Sequence, residues 1–219
     1  MEESETGIGR EETKQRRALA KAFSLAVKQK AKGTAWRFSQ GVLFRDFEGW
    51  FISAPAAVWI GRRKTQIELK CKPMALDPVF WEIVEAESNT SMPLSFRYFG
   101  AWTCSTPAIA EHELKETDPV AIAAEALAWL DSQTGQFKSW SVEHFLQLLR
   151  KNPRANSYFA TIVTTMLMMG TYEPAEVLCK DAIERIDACG FSLSRQSGPS
   201  QSFPQLALAW LSRRRRSIH

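Results

Sequence analysis

Residues 94–104 read Leu-Ser-Phe-Arg-Tyr-Phe-Gly-Ala-Trp-Thr-Cys, and residues 118–130 read Asp-Pro-Val-Ala-Ile-Ala-Ala-Glu-Ala-Leu-Ala-Trp-Leu. The period of the chain changes between them. In the first stretch Phe96, Tyr98, Gly100 and Trp102 alternate with Arg97, Phe99, Ala101 and Thr103, the repeat of a strand. In the second, Ile122, Ala123, Ala126, Leu127 and Leu130 recur at helical spacing behind an aspartate cap and a first-turn proline. The switch near residue 106 predicts an α+β fold. An antiparallel sheet of about five strands with flanking helices would be followed by an all-helical C-terminal half. The boundaries implied are a disordered 1–10, an α+β domain over 11–106 and a helical domain over 107–219, the last separate from the front half or continuous with it.

Toward the N-terminus, Glu11 to Lys32 has a helical stripe (Leu19, Ala22, Phe23, Ala26, Val27), acidic residues at its start, lysines at its end and Gly33 as a stop. Trp36 to Arg45 reads as one strand, with Trp36, Phe38, Val42 and Phe44 on one face. Trp50–Ala54 and Val58–Ile60 read as two further strands separated by Pro55, and Gly61–Lys64 as a hairpin tip. The clearest strand alternates Ile67, Leu69 and Cys71 with Gln66, Glu68, Lys70 and Lys72, which puts the charged set on a solvated face. Asp77-Pro78 repeats the cap-and-proline device before a short helix (Val79, Phe80, Ile83, Val84). Thirteen of the 24 aromatic residues lie between Trp36 and Trp102, which places the main core in the sheet. Toward the C-terminus, helices are expected from Ser141, over 156–169 and 174–188, and from about Ser202, with a mobile linker over Ser192–Ser202.

Composition restricts function more than it reveals it. With 45% apolar and 24% charged residues, the chain reads as an ordinary folded protein. Its net charge of +4 is largely the run Arg213–Arg216, so the body is near neutral and whole-protein attraction to nucleic acid is weak. No apolar run is long enough for a membrane span, and no apolar leader precedes the fold. Cys71, Cys104, Cys179 and Cys189 lack metal-ligand spacing and read as reduced, buried thiols, so the expected location is cytoplasmic. No nucleophile elbow, phosphate loop or dinucleotide fingerprint occurs, so no cofactor or metal is assigned. His112, between Glu111 and Glu113, matches no zinc pattern and reads as part of a surface loop.

One local pattern is more specific. Gly170, Tyr172, Ala175 and Ala182, with Phe159 and Ile162 upstream, fall in a single 34-residue frame over about 156–189. The segment resembles one helical hairpin of the tetratricopeptide repeat, although Val163, Cys179 and Asp187 depart from that family's preferences and no second copy follows. The resemblance implies protein or peptide binding. Three functional readings follow. The first is a protein–protein interaction module (adaptor, inhibitor or immunity-type protein) using Arg37, Arg45, Arg62, Arg63, Arg97 and Phe99 as candidate partner-binding residues. The second is a nucleic-acid-associated protein using the same basic residues and an anion-binding tail, Arg213, Arg214, Arg215 and Arg216. The third is an enzyme of unrecognised type, with a pocket near His112, Arg97 or Glu68.

Overall fold

The computed structural model describes residues 9–59, 64–185, 192–193 and 200–216. By compactness the chain forms two units. The first comprises the residues up to Phe47, Ile52–Cys71 and Ala108–Phe137; the second comprises Glu48–Phe51, Lys72–Pro107 and the residues from Lys138 onward. The fold class is α+β: a five-stranded antiparallel sheet with flanking helices, and a helical C-terminal half.

The sheet runs in the order β1 (Arg37–Ser39), β2 (Val42–Phe47), β3 (Trp50–Trp59), β4 (Lys64–Pro73) and β5 (Ala110–Leu114). Three sequence expectations change here. The segment 36–45 is not one strand but a hairpin, with Arg37 opposite Phe44 and Ser39 opposite Val42. Gln40 and Gly41, at φ 47° and 81°, make the two-residue turn, and that left-handed pair matches the twist of the flanking strands. The two strands expected on either side of Pro55 are a single strand, β3. The fifth strand is not 94–104 but Ala110–Leu114, with Thr65 opposite Leu114, Ile67 opposite His112 and Leu69 opposite Ala110. Residues 94–104 instead hold a single helical turn, α3 (Phe96–Phe99), and the carbonyls of Arg97, Trp102 and Cys104 accept from the side chains of Lys72 and Trp81, not from a ladder.

In the first unit α1 (Arg10–Lys30) packs on β1 and on α4 (Pro119–Thr134), and α4 packs on β5. Phe23 and Val27 of α1, Trp36, Leu43, Ile52, Ile67 and Leu69 of the sheet region, and Ile122 and Leu130 of α4 are buried. Each such large apolar side chain contributes ~1.5–3 kcal/mol on leaving water. Asp118 caps α4 as expected, accepting from the N–H groups of Val120 and Ala121.

The second unit is helical: α2 (Leu76–Ile83), α3, α5 (Val142–Lys151), α6 (Phe159–Met168), α7 (Tyr172–Glu184) and α8 (Phe203–Arg216). Helix α2 packs against α6 and α8. Phe80 stacks on Phe203 at 5.5 Å, and Phe159 meets the same ring edge-on. Helices α6 and α7 meet across Gly170, whose φ of 77° turns the chain where a side chain would be strained. Ala175, Cys179 and Ala182 are the buried face of α7. The expected linker over 192–202 includes a short antiparallel pairing of β6 (Ser192–Leu193) with β7 (Gln201–Ser202). Among the described residues no helix is long and apolar enough to cross a membrane. Residues 1–8 of the expected disordered start, Arg62, Arg63, Cys189 and His219 lie outside the described residues.

Candidate functional site

Asp77 is the centre of the most unusual chemistry in the second unit. It was expected to cap α2, but the helix begins at Leu76 and the cap position, Ala75, makes no side-chain bond. Asp77 lies inside the first turn and is fully buried. A buried carboxylate needs countercharge and donors. Lys72 Nζ supplies one contact at 2.8 Å, Arg97 Nη1 another at 3.2 Å, and the Cys104 N–H donates at 3.1 Å. Lys72, at the end of β4, is itself buried, although strand alternation placed it on a solvated face. Its ammonium also donates to the carbonyls of Arg97 at 2.7 Å and Cys104 at 3.0 Å, and sits 5.6 Å from the centre of the Phe51 ring. The three N–H groups of Lys72 are therefore all used within the protein.

These bonds fix the course of residues 97–105. Arg97 donates to the Met74 carbonyl at 2.8 Å and lies 5.5 Å from the centre of the Trp81 ring. Trp81 Nε1 donates to the Trp102 carbonyl at 2.6 Å, and the Thr161 hydroxyl donates to the Ser105 carbonyl at 2.7 Å. Burial pushes the Cys104 thiol far above its ordinary range, and the Asp77 carboxylate pushes it further the same way. Gly100 ends α3 against Phe96; a methyl group at this position would collide with the Phe96 ring and carbonyl.

Above this network the segment 92–102 displays apolar surface. Met92, Phe99 and Trp102 are 47%, 37% and 36% exposed, and Phe96 and Tyr98 are half-buried between them. Tyr98 and Phe99 meet edge-on at 4.9 Å. Trp102 adopts a φ of 62°, a left-handed conformation that is a genuine outlier for so bulky a residue. Backbone strain persists only where the surroundings over-determine it, and here the Trp81 bond to the Trp102 carbonyl does so.

The other residues singled out by sequence are placed as follows. Arg97 and Phe99 fall in this segment. Arg37 is exposed in β1 of the first unit. Arg45 is half-buried in β2: its guanidinium lies 5.3 Å from the Trp36 ring centre and 4.9 Å from that of Phe47, 3.7 Å from an Asp131 oxygen, and its Nε is buried with no hydrogen-bond partner. Arg213–Arg216 form the last turn of α8. Arg213 pairs with Glu85 at 3.1 Å, Arg214 approaches Glu82 at 4.0 Å and stacks on Trp210, and Arg215 pairs with Glu176 at 2.7 Å. Glu176 is held below the ordinary carboxylate range by its bonds to Lys180 and Arg215.

In the first unit an open groove of about 900 Å³ is lined by Glu12, Arg16, Thr65, Glu113, Leu114 and neighbouring residues. His112, expected in a loop, belongs to β5; its Nε2 lies 2.8 Å from Glu125 Oε1 and its ring stacks on Trp129 at 5.3 Å. Lys72, Asp77, Trp81 and Trp102 are the residues that sequence reasoning did not bring together. The one signal available was a lysine directly before a strand-ending proline, five residues from an aspartate in an apolar helix. No protein family model, characterised protein or solved structure matches this chain.

Proposed function

We propose that the chain is a protein-binding module of the adaptor, inhibitor or immunity type, and that the segment 92–102 is its contact surface. The observation that carries this reading is the display of Met92, Phe99 and Trp102 on a backbone tied down by the Asp77 network. Aromatic side chains that are already fixed lose little freedom on binding and make efficient anchors. The arginines support the same reading. Arg97 and Arg213–Arg215 each face a carboxylate of their own chain, so phosphate would have to compete for them.

The test is capture from native host lysate with the tagged chain and with a Phe99→Ala/Trp102→Ala variant, each with and without nuclease. A stoichiometric protein that survives nuclease and is lost with the variant is the expected result. Recovery that disappears on nuclease treatment, or that the variant retains in full, overturns the proposal.

A further inference from the structure

We infer that the outer edge of β5 is a strand-addition site for an extended, basic segment of a partner protein. This surface shares no residue with the segment 92–102 and lies in the first unit. The sheet order ends at β5, so Ala110–Leu114 has β4 on one side only. An edge strand turns alternate N–H and C=O groups away from its neighbour. Among the described residues, no backbone or side-chain hydrogen bond engages the main chain of 110–114 on that outer side. An open edge of this kind is a template for another strand.

The strand is ordered before any partner arrives. Its register on β4 is fixed from Thr65–Leu114 to Leu69–Ala110. His112 is held against Glu125 and Trp129 of α4, and the other Glu125 oxygen accepts the Lys115 N–H at 3.2 Å. An incoming segment therefore does not have to order its template.

Charge names the occupant. Glu111 and Glu113 are exposed on the strand and Glu116 follows it; the cations nearby are Lys115 and, in the groove, Lys64 and Arg16, of which Arg16 is paired with Glu12. Glu111 also stands opposite Glu68 of β4. Of the strand's two apolar side chains Leu114 is buried and Ala110 is small and half-buried, so the edge offers an apolar partner little. A second copy of this chain would bring acidic residues beside acidic residues, which cross-strand pairing disfavours; lysine or arginine at alternate positions reverses the sign. The open groove begins at Glu113 and Leu114 and gives room to a side chain of a segment running past the strand's end.

The experiment uses the full chain, isotope-labelled, titrated with a synthetic peptide of alternating lysine and threonine. Two further peptides carry N-methyl groups along one edge or along the other, and a fourth has glutamate in place of lysine. The expected result is slowed exchange of alternate amides in 110–114. One N-methyl isomer should bind about tenfold more weakly while the other binds normally, because only one edge meets β5. The glutamate peptide should not bind, and Glu113→Lys, or the milder Glu113→Gln, should weaken the lysine peptide. Equal binding of both N-methyl isomers, equal binding of the glutamate peptide, protection confined to residues outside 110–114, or no binding at millimolar peptide overturns the inference.

Discussion

Asp77→Asn keeps the shape of the side chain and removes its charge. The native carboxylate is fully buried, 2.8 Å from Lys72 Nζ and 3.2 Å from Arg97 Nη1. The amide leaves both cations without a counter-ion and turns one end into a donor facing other donors. Breaking a buried ion pair by removing one partner costs ~3–5 kcal/mol. Arg97 retains 13% side-chain exposure and its bond to the Met74 carbonyl, so it can recover some solvation. Lys72, at 4%, cannot, and most of the loss falls there. The expected destabilisation is therefore ~3–5 kcal/mol, a large part of the ~5–15 kcal/mol that holds a typical domain. Lys72→Met is the informative contrast. It leaves Asp77 with Arg97 and the Cys104 N–H but deprives the Arg97 and Cys104 carbonyls of their donor, at ~1–3 kcal/mol each, so its cost should be of the same size and arise at the carbonyls. The double variant should lose at least ~1 kcal/mol less than the two single losses added, as groups in direct contact do. Urea unfolding followed by tryptophan fluorescence measures all three. Asp77→Asn within ~1 kcal/mol of wild type, or strict additivity, would refute the claim that this pair anchors the segment above it.

Trp102→Gly relieves the left-handed strain, worth ~1–3 kcal/mol, but costs ~0.5–1 kcal/mol in chain entropy and also the burial of a ring that is only 36% exposed. The terms oppose one another and are of similar size, so thermal unfolding should move little while partner capture falls sharply. A large drop in stability would instead make the ring structural. For Glu176 the sign follows from a folded-state pKa below the unfolded one: its contribution is present above the unfolded value and is lost as pH falls through the folded value. Acidification below the ordinary glutamate range, about pH 4, should thus speed amide exchange at the end of α8, and Glu176→Gln should flatten that response. Cys71 and Cys104 are buried, with thiols pushed far above their ordinary range, so alkylation at pH 8 with peptide mapping should leave both unmodified until the chain unfolds. Their modification in the native protein faster than unfolding would contradict that burial.

Elements whose signal is local were legible in the sequence. Helix α1 has its stripe, its charge order and its glycine stop; α4 and α5 have their Asp118 and Ser141 caps, and both cap bonds form. Strand β4 alternates and is a strand, yet alternation misplaced Lys72, because the last three residues of β4 are all buried. Strand β5 was missed for a related reason. An edge strand carries charge that opposes pairing with its own copies, and Ala-Glu-His-Glu-Leu has that charge where a central strand has valine and isoleucine. The aromatic alternation of 94–104 pointed to a strand because rings at every second position fit a pleated surface equally well whether they line a ladder or crowd a single turn of helix. Arg97 and Phe99 of the proposed surface could be named from composition. The lysine, aspartate and tryptophans beneath them could not, since their partners lie up to 32 residues away.

The two Asp-Pro pairs show where local reading ends. At 118 the aspartate is extended at φ −75°, ψ 127° and its carboxylate accepts from the N–H groups of Val120 at 3.0 Å and Ala121 at 2.9 Å. In water those neutral donors face no rival within the protein, and the cap forms. At 77 the same dipeptide is carried into the interior, where a carboxylate must find charged donors or lose several kcal/mol. Hydrogen bonds to charged groups contribute ~1.5–3 kcal/mol against ~0.5–1.5 for neutral ones, so Lys72 and Arg97 outbid the helix's own N–H groups. The first turn still benefits, because a negative charge there complements the helix dipole. Burial, not the dipeptide, decides between a cap and an anchor. At 118 the result is a helix start; at 77 it is a tie between β4, α2 and the loop at Cys104, and the exposed rings of 92–102 stand on that tie.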